Sequence, residues 1–178
     1  MNGMKRIVLI GGVVAALATT GAVALGAGNG WWKSCAATQS VLPIAVQEAV
    51  LEALVGPEGE YAAYATYAAI LEEYGKVSPF ANIIESEAKH IDALKQILDR
   101  YGVPYPTENP YLGNIKAPDS LGEAAQAGVD AEIANVALYE GQLAAVADYP
   151  DILEVFVNLQ AASQEQHLPA FQRATARY

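Results

Sequence analysis

The chain has 178 residues, a length that suits one domain with a real core better than two, and it carries a formal charge of −10. That charge argues against nonspecific nucleic-acid binding, which needs clustered Lys and Arg; the single cysteine, Cys35, leaves no intrachain disulfide, CxxC zinc pattern or paired Cys nucleophile. Hydrophobic residues make up 53%, much of it alanine, with 15 Gly and only 3 Phe, a composition of closely packed helices, so the expected class is all-α.

At the N-terminus Lys5 and Arg6 precede an uncharged stretch from Ile7 to Gly30, the pattern of a charged and then apolar export signal. Residues 1–30 are read as a targeting segment in one of two forms. It is a signal peptide cleaved near Ala24-Leu25-Gly26, or an uncleaved membrane anchor with Trp31 and Trp32 at the far interface. Either form makes the protein exported: periplasmic, extracellular or at the cell surface. Trp32-Lys33-Ser34 before Cys35 lacks the small and apolar residues of a lipoprotein processing site. Residues 31–42 read as a linker and 43–178 as the folded domain.

Within that domain apolar residues recur at helical spacing from Ile44 to Leu54, and Gly56-Pro57-Glu58-Gly59 interrupts them. The first bundle helix begins near Pro57 and runs through Tyr61, Tyr64, Tyr67 and Leu71 to Gly75, a C-cap glycine. Ser78-Pro79 predicts an N-cap hydroxyl and a first-turn proline for the second helix, which stops at Gly102 after Tyr101. Residues 103 to 117 hold Pro104, Pro106, Pro110 and Gly113 and form a long connection. Ser120-Leu121-Gly122-Glu123 matches a capping box and starts a third helix reaching about Ala147; Tyr149-Pro150-Asp151 starts a fourth, reaching about Arg177. Short, long and short connections predict a four-helix bundle with one crossover between its second and third helices.

Ionisable residues stand where the buried faces belong. Glu87 and His90 fall within the stripe Phe80, Ile84, Ile91, Leu94, Leu98. Glu60 leads the stripe Ala63/Tyr64, Tyr67, Leu71, and Glu132 interrupts Ala125, Val129, Val136, Tyr139, Leu143. His167 is one turn from Phe171 and in register with Phe156. Glu58, Glu72, Glu73, Glu85 and Glu140 read as solvated flank residues. Unpaired buried carboxylates cost several kcal/mol, so converging ones require protons or cations among them. Carboxylates with neutral imidazoles suit iron or manganese, and Glu87-x-x-His90 aims both donors at one site. Glu60 lies about 9 Å farther from the first interhelix turn than Glu87 at about 1.5 Å per residue, unless Lys76 to Ser78 run extended.

Glu60 with Tyr67, Glu87-Ala-Lys-His90, Glu132 and His167 together resemble the ferritin-like superfamily of di-iron carboxylate proteins, which includes rubrerythrin and ferritin. Phe80 to Leu94 with Leu98 to Pro104, and Val155 to Leu159 with Ser163 and His167 to Phe171, are similar to an uncharacterised prokaryotic family within it. The likeness covers about residues 45 to 175. It implies a ferritin-like four-helix bundle with metal ligands at Glu60, Glu87, His90, Glu132 and His167. Such sites usually pair the last histidine with a Glu three residues earlier, where this chain has Gln164.

Three functions fit these residues. The first is a di-iron or di-manganese oxidoreductase, of oxidase or peroxidase type, binding O2 or peroxide, with Tyr67 donating a hydrogen bond or an electron. The second is metal binding or iron handling without turnover, and the third a metal-free structural or partner-binding bundle. A homodimer paired through the alanine-rich helix faces stays open. No phosphate-binding loop and no Ser/His nucleophile spacing are found.

Overall fold

The computed structural model describes residues 41–178, and the expected signal or anchor, with most of the linker, lies outside them. All regular structure among the described residues is helical. The elements are α1 (Ile44–Val55), α2 (Glu60–Tyr74), α3 (Phe80–Tyr101), α4 (Leu121–Val146), α5 (Pro150–Ala162) and α6 (Leu168–Thr175). A π-helical turn, Ser163–His167, joins α5 to α6. No helix among these residues is long and apolar enough to cross a membrane.

Four helical rods form the bundle: α2, α3, α4, and α5 continued by α6. The hairpins α2/α3 and α4/α5–α6 make the broad contacts, and α2 with α4 and α3 with α5 close the ring more thinly. The stretch from Ile44 forms a separate helix, α1, which packs on α2, α3 and α4 and buries Val46, Val50 and Leu54.

The helix ends show which local signals were decisive. Ser120 Oγ accepts the Glu123 N–H at 3.2 Å, as a capping box requires, although the Glu123 carboxylate reaches the Asp119 N–H, one residue earlier than the usual pairing. Gly102 ends α3 at φ 66°, with the Val103 N–H returning to the Leu98 carbonyl at 2.9 Å. Ser78 does not cap α3. Its place is taken by backbone carbonyls, since the Ala81 N–H bonds to Val77 and those of Asn82 and Ile83 bond to Pro79. The helix therefore starts only at Phe80.

The fourth rod also departs from expectation, because it is not one uninterrupted helix. Pro169 has no N–H, and its ring crowds the carbonyl four residues back, so a regular α turn is disfavoured there. The chain widens just before it, the Leu168 N–H bonding five residues back to Ser163.

Apolar residues gather in two clusters. One contains Tyr61, Leu94, Leu98, Tyr139 and Phe156 with the buried face of α1. The other contains Tyr67, Phe80, Val129 and Phe171, whose three aromatic rings lie 5.0 to 5.7 Å apart. Three carboxylates and two imidazoles are buried in the same interior.

Candidate metal centre

Glu60 is the first residue of α2, Glu87 and His90 lie mid-α3, Glu132 lies mid-α4, and His167 closes the π turn. All five are buried, the three carboxylates at 0 to 2% exposure. They form two triads, Glu60–Glu87–His90 and Glu87–Glu132–His167, and the ligand atoms within each triad lie inside 4.8 Å of one another. Glu87 belongs to both. The imidazole rings stack with centroids 5.4 Å apart and both turn Nδ1 towards the carboxylates.

The axial mismatch between Glu60 and α3 is absorbed in the pairing, because Glu60 Oε2 faces His90 Nδ1 at 3.3 Å, one turn beyond Glu87. Residues 75 to 79 are not an extended run, for the Val77 N–H closes on the Gly75 carbonyl at 2.8 Å.

Hydrogen bonds fix the outer faces of the carboxylates. Tyr67 donates to Glu132 Oε1 at 2.7 Å and Tyr139 donates to Glu60 Oε1 at 2.6 Å. Each tyrosine follows its own helix's glutamate by seven residues and bonds the glutamate of the other helix. The Tyr139 role was readable from the spacing Glu132 to Tyr139, which repeats that of Glu60 to Tyr67. Asn135 and Ser163 also belong to the network; Ser163 stood out only as part of the family-like stretch, and Asn135 carried no signal. Asn135 takes the inward place expected of Val136, and Ser163 takes the one expected of residue 164. Gln164 itself is exposed, so the fourth rod contributes no carboxylate or amide three residues before His167.

The electrostatics follow from this crowding. Burial and then the charge of Glu60 push the Glu87 carboxyl up to about 7. Burial also works to raise Glu60, but hydrogen bonds with His90 and Glu87, the His90 charge and the Tyr139 hydroxyl outweigh it and hold that carboxyl at about 2. Burial opposes charge on both imidazoles, yet the adjoining carboxylates raise His90 to about 10 and His167 to about 9. Tyr67 and Tyr139 are raised well above 10, by burial and then by carboxylate charge, and so remain donors.

The fit to metal rests on two atoms. Glu87 Oε1 and His167 Nδ1 are buried and have no hydrogen-bond partner, although they stand only 3.1 Å apart. Charge attraction operates at that distance, but the N–H direction needed for a hydrogen bond is missing. Two buried polar atoms without a hydrogen-bond partner are costly, and a cation that displaced the imidazole proton and sat between them would remove the cost. Oxygen and imidazole donors without a thiolate suit iron or manganese. A surface groove of about 740 Å³ along α1, lined by Glu48, Glu52 and Gln142 among others, shares no residue with the cluster.

Comparison with known proteins places the chain. A family model described as an uncharacterized protein domain, DUF2202, matches residues 54–177. The chain belongs to that family. The uncharacterized protein MJ0754 of Methanocaldococcus jannaschii is 31% identical over 117 residues, covering 58% of this chain and 62% of that protein's own length. The crystal structure of hypothetical protein MJ0754 from Methanococcus jannaschii matches 74% of this chain and 80% of its own, with TM-score 0.64 and 27% identity. The likeness to that structure is one of fold, and neither protein's description names a chemistry.

Proposed function

We propose that this DUF2202 protein is a ferritin-like di-metal carboxylate protein, with Glu60, Glu87, His90, Glu132 and His167 holding two ions of iron or manganese. The observation that carries the reading is the pair of buried triads joined at Glu87, with two of their donor atoms unpaired. When bound, such ions supply electron exchange with O2 or peroxide, which makes an oxidase- or peroxidase-type reaction the leading activity. Glu60 and Glu132 are the outer carboxylates and Glu87 the shared one. Tyr67 and Tyr139 keep their protons and aim Glu132 and Glu60, so both act as positioning residues.

Metal holding without turnover is the second reading, and the exposed Gln164 favours it, because the centre has three carboxylates where ferritin-like sites usually have a fourth. Export or anchoring, proposed from Lys5-Arg6 and the uncharged run after them, would set the reductant available to either.

Plasma mass spectrometry on the protein after anaerobic iron or manganese loading separates these readings from a metal-free bundle. About two ions per chain are expected, with loss in Glu87→Ala and His90→Ala. Peroxide consumption by the loaded protein then distinguishes turnover from storage. A folded wild type that retains no metal refutes both metal readings.

A further inference from the structure

We infer that Asn135 is a positioning residue of the metal centre, tying the Glu60 carboxylate to the π-helical turn that carries His167, so that one buried amide sets the two triads against each other. This rests on the di-metal reading above. Asn135 is 3% exposed and is not a donor in either triad, yet its polar atoms are engaged on both sides. Its Nδ2 donates to Glu60 Oε1 at 3.2 Å and to the Glu58 carbonyl at 3.1 Å, and its Oδ1 accepts the Ser163 hydroxyl at 2.8 Å.

The orientation of the amide is determined by its neighbours. The opposite orientation would set its oxygen against the Glu60 carboxylate and the Glu58 carbonyl, acceptor against acceptor. Held this way, Asn135 fixes the entry of α2 through Glu58, and it joins Tyr139 in pinning Glu60 Oε1 so that Oε2 faces His90. Glu132 has the single tyrosine Tyr67 on its outer oxygen. The amide also reaches the other triad, because Asn135 lies one turn beyond Glu132 on α4 and its partner Ser163 opens the turn that His167 closes. Partners that orient ligating side chains typically change metal affinity by about 10- to 100-fold when removed.

The test is a cobalt(II) titration of wild type, Asn135→Leu and Ser163→Ala, reading visible d–d absorption and affinity by chelator competition, alongside thermal unfolding. Wild type is expected to take two ions. Asn135→Leu should bind one ion as wild type does and the other about 10- to 100-fold more weakly, with a changed spectrum. Ser163→Ala should weaken the same ion by less. Folded variants with wild-type affinities and spectra, differing only in thermal midpoint, would show a purely structural residue and overturn the inference. Should Asn135→Leu fail to fold, Ser163→Ala decides alone, an unchanged spectrum and affinity counting against the inference. Wild type without cobalt defeats the di-metal reading itself, whereas two ions held with the same affinities and spectra in wild type and in both variants defeat this inference only.

Discussion

Loading the centre with metal should expel protons, and the number follows from the site's geometry. In the metal-free protein the carboxylates raise His90 to about 10 and His167 to about 9, so both imidazoles are charged at pH 7, and Glu87 at about 7 is half protonated. Metal ligands must be deprotonated, so filling both positions at pH 7 should release about two to three protons per chain, two from the imidazoles and the remainder from Glu87. By linkage, the overall association constant then rises by roughly two to three powers of ten per pH unit near neutrality. Isothermal titration calorimetry at pH 7 in three buffers of different ionisation enthalpy measures the release directly, as the slope of apparent enthalpy against buffer enthalpy. Two ions bound with release of fewer than about one proton would show the imidazoles to be neutral beforehand and would refute the charged network described here.

Two further outcomes are expected. The metal-free protein should lose thermal stability as pH rises from 7 to 10, since His90 and His167, raised above their ordinary 6.5, stabilise the fold fully below that value and progressively less through about 9 and 10; the loaded protein should lack this loss, and calorimetric midpoints across that range compare the two. Gly128→Ala should destabilise by about 1 to 3 kcal/mol, because a β-carbon there would stand 2.5 Å from Phe171 Cδ1, a fully buried ring confined by Tyr67 and Phe80; urea unfolding measures it, and an unchanged midpoint would show that the aromatic cluster yields freely.

The helices and their inward donors were legible in the sequence because polar residues inside an apolar stripe break a period that burial enforces. Glu87 and His90 stand out for this reason, and so do the stops at Gly75 and Gly102. Asn135 was hidden, being a neutral polar residue next to Val136, where the period alone cannot choose between neighbours. The repeated glutamate-to-tyrosine spacing marks Tyr67 and Tyr139 as inward, but the crossing of their bonds joins α2 to α4 across more than 60 positions, which no local pattern encodes. Ser78 looked like a cap, but backbone carbonyls of Val77 and Pro79 already occupied the first free N–H groups of α3. The interruption of the fourth rod did have a visible cause in Pro169, whose missing N–H weighed more than the apolar spacing on either side of it.

The π turn has a consequence for reading kinship. A helix that spends five residues on one turn holds one residue more between the same two end points than a straight helix does. Lining this chain up with a straight-helix homologue therefore needs a single-residue gap between Ser163 and His167. Without that gap every position on one side of the turn is assigned to a helix face rotated by about 100°, and a ligand can be scored as lost when only the count has slipped.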